Sequence, residues 1–252
     1  MSLHRTVQSL LGLSGVLLVC AAQASSLPSQ GTMRPIEPTN MSLGDAEANA
    51  VLNALRPALY VANRTARIDY QASCEPVTGR VLFPSVSVHP LPPHEPLNLS
   101  AFQDMFIADK NVVVSEMTPG VISIRIGRVS DALLHTRIPK LIFYANMDQY
   151  YPQGVFYELK MNGTVRASMK QIGVRPANYV PEYLVGERLE GSPHLPSEMR
   201  DVTVEQVLDR IARTFNGVVL YGTCTNPPLF LLQFIPLVDF PTVTPNVGKI
   251  PK

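Results

Sequence analysis

Proline restricts the architecture of this chain more than any other residue type, since 23 of its 252 residues are prolines. Proline interrupts helices and central strands, so we expect short elements that are separated by loops. Apolar residues nevertheless make up 46% of the sequence, and acidic and basic residues are nearly equal in number. Such a chain is apolar enough to form a core and too weakly charged for general disorder.

The N-terminus has the pattern of a secretory signal peptide over residues 1–24. A short basic region is followed by an apolar stretch and then by small residues before a cleavage site. These are His4 and Arg5, Leu10 to Val19, and Ala22 and Ala24 before Ser25. The apolar stretch has half of the roughly 20 residues that a transmembrane helix needs. We therefore expect an exported protein, periplasmic or extracellular, with no transmembrane segment in the mature chain.

Cys20 provides a competing interpretation of the same segment. A bacterial lipoprotein signal places a cysteine after a short aliphatic run, as Leu17 to Val19 does here. Lipoprotein signals prefer a small residue where Val19 stands, and the Ala22–Ala24 cleavage pattern lies just downstream. Ordinary cleavage before Ser25 is therefore favoured over lipidation of Cys20.

The charge balance argues against nucleic acid as a partner. The chain has 21 Lys and Arg against 20 Asp and Glu, and cleavage after Ala24 removes one of the basic residues and no acid. A neutral mature chain has no general attraction for polyanions or for an anionic membrane. No run of Lys and Arg indicates a local basic patch.

Two cysteines remain after cleavage, Cys74 and Cys224, and each ends an apparent strand. In an oxidising compartment two cysteines are the smallest number that can pair, and pairing leaves no free thiol. We expect a Cys74–Cys224 disulfide, which in the chain-entropy model stabilises the fold by about 4–5 kcal/mol. The alternative is two separate buried thiols.

The pattern along the chain predicts an α+β fold with small mixed or antiparallel sheets, two to four packed helices and proline-rich loops. The expected segments are a flexible lead-in, an α+β module, a helical and strand extension, a proline-rich loop or linker, a helix–strand–strand unit and a tail. They cover 25–42, 43–127, 128–173, 174–200, 201–236 and 237–252. The helix–strand–strand unit either stands alone or shares a core with the α+β module.

Residues 43–127 resemble the short N-terminal domains of secretins and TonB-dependent transducers. The expected order is helix, strand, strand, helix and β-hairpin, and the matching stretches are patterns of apolar spacing. They are Leu52 to Leu55, Ala66 to Tyr70, Ala101 to Phe106 and Gly120 to Ile126. The chain departs from the family by a proline-rich insertion from His89 to Pro96, by lacking a clear strand before the first helix, and by lacking a secretin pore region. The resemblance implies a periplasmic module that docks onto other proteins and carries no catalytic residues.

No catalytic, cofactor-binding or metal site is predicted. The sequence has no Gly-x-Ser-x-Gly, no glycine-rich phosphate loop and no zinc-ligand spacing. His89 and His94 lie on one proline-rich loop, but two ligands do not make a metal site. Asp104, Asp148 and Glu158 are available acids that the sequence cannot place as a pair. An active site assembled from distant residues is the alternative.

The leading functional hypothesis is a non-catalytic interaction or scaffold protein of the cell envelope, with a protein partner. A secreted hydrolase with an unrecognised site is the alternative, and a small-ligand-binding protein is a third hypothesis. One segment bears on partner binding, since Leu229 to Ile235 forms either a buried strand or an edge for strand addition.

Overall fold

A computed structural model describes the part of the chain that follows the lead-in, in five stretches. They are residues 46–75, 81–91, 97–143, 148–177 and 192–237. The expected signal peptide, its cleavage residues Ala22, Ala24 and Ser25, the alternative Cys20 and the lead-in 25–42 lie outside the described residues. So does the tail after Leu237.

The described residues form five α-helices and ten strands. The helices are α1 Ala46–Ala62, α2 Leu99–Asp104, α3 Pro152–Met161, α4 Gly163–Ile172 and α5 Val204–Thr214. The strands are β1 Thr65–Gln71, β2 Ser73–Cys74, β3 Val81–Leu82, β4 Val112–Thr118, β5 Val121–Ile126, β6 Arg137–Ile142, β7 Arg175–Pro176, β8 Glu198–Thr203, β9 Gly217–Thr225 and β10 Pro228–Pro236. The predicted α+β class with mixed and antiparallel sheets is confirmed.

A six-stranded mixed sheet in the order β4-β5-β1-β9-β10-β7 organises the fold. Its three central strands are parallel, with Ile68 of β1 opposite Ile124 of β5 and Leu220 of β9. The hairpin partners β4 and β10 run antiparallel to β5 and β9. Two smaller antiparallel sheets pair β2 with β3 and β6 with β8. Residues from 43–127 and from 201–236 therefore contribute neighbouring strands to one sheet.

The central sheet is covered on both faces, which explains why β1 is buried from Thr65 to Tyr70. Alternate residues of a strand point to opposite faces. Ile68 and Tyr70 belong to one apolar core with α1 and α2, whereas Val219 and Tyr221 of β9 belong to a second core with α3, α4 and α5. Arg67 and Asp69 of β1 consequently point toward the α5 side.

Helix α1 contains Pro57, and a proline in a helix interior is expected to kink the helix or to break it into two pieces. The structure has one helix of 17 residues with Pro57 inside it. Leu55, Ala58 and Leu59 on either side of the proline are buried in the first core. Their packing against the sheet holds the helix together despite the missing backbone donor.

Five helices occur where two to four were expected, and two of them lie in residues 152–172, where the sequence Asn162-Gly163 predicts an interruption of the helical pattern. Asn162 separates them: its N–H donates to the Glu158 carbonyl at the end of α3. Its side-chain oxygen accepts from the N–H of Thr164 at 3.0 Å at the start of α4. One asparagine thus terminates one helix and caps the next.

The second expected strand is shorter than the sequence pattern predicts. The apolar residues Phe83, Val86 and Val88 predict a strand from Val81 to His89, but only Val81–Leu82 pairs. Pro84 has no N–H to donate to a ladder, so the chain leaves the small sheet there. Phe83 and Val86 are still buried against the first core.

Helix α5 begins as the sequence predicts. The hydroxyl oxygen of Thr203 accepts from the N–H of Gln206 at 3.2 Å, and the side chain of Gln206 accepts from the N–H of Thr203 at 3.0 Å. This capping box fixes the first turn of α5, which carries Glu205.

Candidate functional site

Cys74 and Cys224 form a disulfide, as the sequence analysis predicts. The two Cα atoms are 5.9 Å apart although 150 positions separate the residues in the sequence. Strands β1 and β9 bring them together: Gln71 is paired with Thr223, and the N–H of Ala72 donates to the Thr223 carbonyl at 2.8 Å. The cross-link therefore joins the two halves of the chain at one end of the central parallel strands.

The most unusual group of side chains is a buried ionic cluster between β1 and α5, which we call the Arg67 cluster. It consists of Arg67, Asp69, Glu205 and Asp209. The guanidinium group donates from Nε to Asp69 at 3.0 Å, from Nη1 to Asp209 at 2.5 Å and from Nη2 to Glu205 at 2.5 Å. One cation therefore binds three carboxylates from two elements.

Two hydroxyl groups extend the cluster onto neighbouring strands. Nη2 of Arg67 donates to the Ser123 hydroxyl of β5 at 3.3 Å. The Thr118 hydroxyl at the end of β4 donates to the second oxygen of Asp209 at 2.5 Å. The cluster thus connects α5 with β4 and β5 as well as with β1.

Burial differs within the cluster and decides which groups solvent can reach. The side chains of Arg67, Asp69 and Asp209 are 1%, 0% and 5% exposed, whereas that of Glu205 is 24% exposed. The exposed imidazole of His135 lies 3.9 Å from the second oxygen of Glu205. Among the residues of the cluster, Glu205 is therefore the one that meets solvent.

Burial shifts the pKa values of the two most enclosed acids upward. Loss of hydration raises the pKa of Asp69 from 3.8 to about 6, although the adjacent Arg67 acts to lower it. Burial also raises the pKa of Asp209, against the lowering effects of Arg67 and of the Thr118 hydrogen bond. Glu205 adds to both upward shifts because its negative charge is close. The cluster contains one guanidinium group and three carboxyl groups, so negative charge exceeds positive charge when all of them are ionised.

The sequence contains charged residues at the positions that form this cluster, but the pattern of β1 is also that of a strand with one exposed face. Arg67 and Asp69 alternate with apolar residues in β1, which is typical of a strand with one solvated face. Glu205 and Asp209 are four residues apart, so they lie on the same face of α5. A buried ionic contact between a strand and a helix would show this combination: two charged residues two positions apart on the strand, and two charged residues four positions apart on the helix.

The other candidate residues are dispersed. Asp104 is exposed on α2 and Glu158 is buried on α3, while nothing is described for the Asp148 side chain. His89 is exposed, and His94 lies outside the described residues. Within the described stretches there is no group of three or more His, Cys, Asp or Glu side chains that could hold a metal ion.

A second feature of note is a group of exposed apolar side chains on the edge strand β4, in the connection before it and at the end of α1, which we call the β4 rim. Its exposed fractions run from 60% for Val113 to 77% for Met117, and its members are Tyr60, Val61, Ile107, Val113 and Met117. Two contacts bring the end of α1 to this strand: Arg64 forms an ion pair with Glu116, and the N–H of Thr65 donates to the Gly120 carbonyl.

The backbone of β4 is protected from pairing with a further strand. The side-chain amide of Gln103 donates to the Val114 carbonyl at 3.2 Å, and the N–H of Val112 donates to the Asp109 carbonyl at 3.1 Å. These groups point away from β5, where an added strand would bind. Protection of this kind is a common way to prevent unwanted strand addition. The β4 rim therefore offers side chains rather than a free ladder.

The apolar segment Leu229 to Ile235 lies in β10. It pairs with β9 along its length and with β7 at Leu229 and Phe230. Leu229, Phe230, Leu232 and Ile235 are buried. This segment consequently contributes to the cores on both sides of the sheet.

Comparison of the chain with protein-family models, with curated proteins and with solved structures finds no match. Across the described residues, no helix combines the length and the apolar character that crossing a membrane requires.

Proposed function

We propose that this chain is an exported protein of the cell envelope that binds a protein partner through the β4 rim. The observation that carries the proposal is the location of the exposed apolar side chains. Val113 and Met117 lie on the edge strand itself, Ile107 lies in the connection leading into it, and Tyr60 and Val61 lie at the end of α1. Five of the seven large apolar side chains that are exposed in the described residues thus belong to this region, and the other two, Tyr157 and Met161, lie on α3. Exposed apolar residues concentrated in one region are typical of protein interaction surfaces.

The chemistry of the rim indicates how the partner binds. Because Gln103 and Asp109 already engage outward-facing groups of β4, the partner contacts side chains instead of extending the sheet. The ion pair of Arg64 with Glu116 neutralises the charges beside Met117. The expected partner surface is therefore apolar and uncharged at its centre, with polar groups outside it.

Export is supported by the disulfide and by the signal pattern of residues 1–24. A long-range cross-link such as Cys74–Cys224 persists in an oxidising compartment and is rare in the cytosol. Detection of Ser25 as the first residue of the secreted or periplasmic protein by mass spectrometry is the expected result. A lipid-modified N-terminus at Cys20, or retention of the protein in the cytoplasm, would contradict it.

The secretin-like interpretation belongs to the same proposal. Within 46–126 the chain forms α1, β1, β2, β3, α2, β4 and β5, and β9 from outside this range pairs with β1. If the segment acts as the N-terminal domains of secretins and transducers are expected to act, its partner is another envelope protein.

Site-specific photo-crosslinking tests the β4 rim directly. A crosslinker placed at Val113 or Met117 is expected to give one defined adduct in envelope fractions, and the same group at Arg166 or Lys170 on exposed α4 is not. Excess unlabelled wild-type protein should compete for the adduct, whereas a Val113→Glu/Met117→Glu variant should not. Equal labelling from all four positions, or competition by the variant, would contradict the proposal.

The alternative of a secreted hydrolase rests on the convergence of Asp69, Glu205 and Asp209 from distant segments. A raised pKa in a carboxyl is common in catalytic acids. However, Asp69 and Asp209 are enclosed beneath α5, so a substrate would have to displace the helix to contact them. The interaction proposal is therefore preferred, and hydrolysis of a glycoside or peptide substrate that is lost in Asp69→Asn would reverse the preference.

A further inference from the structure

The Arg67 cluster and its surroundings contain more negative than positive charge. Two guanidinium groups, Arg67 and Arg125, face four carboxylates. Arg125 of β5 is itself paired with Asp131: its Nη1 donates to one carboxylate oxygen at 2.8 Å, and its Nη2 lies 2.7 Å from the other. Arg67 therefore balances Asp69, Glu205 and Asp209 nearly alone. The excess charge lies where α5 meets the sheet.

The polar and charged groups of the cluster and of its immediate surroundings come from several elements. They are Arg67 on β1, Ser123 and Arg125 on β5, Tyr221 on β9, Glu205 and Asp209 on α5, Thr118 at the end of β4, and Asp131 and His135 in the connection after β5. His135 is exposed and lies beside Glu205, so its charge acts mainly on the open side of the cluster. Arg67 and Arg125 are the guanidinium groups that act on Asp69.

We propose that the Arg67 cluster is an acid-strengthened lock between α5 and the central sheet. When the pH falls, a proton from solvent binds one of the enclosed carboxylates, the excess negative charge beneath α5 decreases, and the helix is held more tightly. An exported protein meets the pH of its surroundings directly, so the lock would adjust the stability of α5 to that pH. An ordinary exposed salt bridge behaves in the opposite way and weakens in acid.

The sign follows from the proton balance of Asp69. In the closed state its pKa is about 6, and in an opened state that exposes the carboxyl to water it returns to its ordinary 3.8. Between these values the closed state holds a proton that the open state has released. Lowering the pH therefore favours the closed state, and the stabilisation disappears as the pH rises through 6.

Hydrogen exchange of the α5 amides measures the lock. In the disulfide-bonded protein, the opening equilibrium reported by the buried residues Val207, Leu208 and Ile211 should fall by about tenfold between pH 7.5 and pH 5, after correction for intrinsic exchange rates. In Asp69→Asn this decrease should be clearly smaller, and the part that remains reports Asp209, whose pKa burial also raises. The matched control is Asp201→Asn, because Asp201 pairs with Arg137 on the exposed surface of β8 and has a positive φ that asparagine tolerates.

An unchanged or increased opening of α5 at pH 5 in the wild type would overturn the proposal, as would an undiminished pH effect in Asp69→Asn. If Asp69→Asn does not fold, the carboxyl ¹³C resonance of Asp69 in the wild type decides. A titration midpoint near 6 supports the lock, and a midpoint below 4 refutes it.

Discussion

The cross-link between Cys74 and Cys224 should contribute a large part of the stability of this protein. Its bond closes a loop spanning 150 positions. In the chain-entropy model, closing such a loop in the unfolded chain is worth about 5 kcal/mol. In the folded state the strands next to the cysteines are already paired, with Gln71 opposite Thr223, so the cross-link constrains the unfolded chain far more than the native one. Because single domains are typically stable by about 5–15 kcal/mol, reduction should remove a third or more of the total.

Urea unfolding of the oxidised and the reduced wild type measures this contribution. The chain has no tryptophan, so far-ultraviolet circular dichroism is the appropriate signal. Reduction keeps both side chains and therefore isolates the cross-link from the loss of buried sulfur atoms. The variant Cys74→Ala/Cys224→Ala is the control, since it has no cross-link to reduce and its unfolding should not respond to reductant. A difference between oxidised and reduced protein below about 1 kcal/mol would refute the loop-closure argument.

Three further substitutions test the packing, the helix cap and the buried charges. Gly222→Ala should destabilise the protein by about 1–3 kcal/mol, because a methyl group there would meet the Tyr70 ring at 2.5 Å. Gly163→Ala is the control: there is open space around Gly163, so this substitution should not lower the thermal midpoint. Thr203→Ala should cost about 1 kcal/mol in urea unfolding through loss of the cap of α5, and an unchanged midpoint would contradict the role of the capping box. Arg67→Met should lower the free energy of unfolding by about 3–5 kcal/mol at pH 7.5, because it leaves buried carboxylates without their cation. The loss should be smaller at pH 5, where these carboxylates take up protons. Equal losses at the two pH values would count against this explanation.

Local features of the chain are those that the sequence predicts well. The β4–β5 hairpin is present with strands Val112–Thr118 and Val121–Ile126, around the turn expected at Pro119 and Gly120. The cap of α5 is present because it depends on residues three positions apart, Thr203 and Gln206. Asn98 and Ser100 are both residue types that cap helices, and α2 uses Asn98, whose side chain accepts from the N–H of Ala101 at 3.0 Å.

The face of the sheet that each helix covers depends on residues far apart in the sequence, and the sequence pattern does not predict it. The segments that lead to Cys74 and to Cys224 share the order helix, strand and cysteine. In the structure the strands β1 and β9 are parallel neighbours, yet α1 and α5 belong to cores on opposite faces of the sheet. The spacing of apolar residues predicts which side of a helix is buried, but it does not predict which face of a sheet the helix will cover.

The sequence by itself determined the α+β class, the turn and cap positions and the two cysteines available for pairing, because these depend on composition and on neighbours within a few residues. Only the tertiary structure decided that β1 lies between β5 and β9 and that Arg67 is therefore buried. Alternating charge in a strand is compatible with a solvated face as well as with a buried one. Two of the three carboxylates that bind this buried arginine are supplied by α5, well over a hundred residues away in the sequence and brought close by the pairing of the central strands.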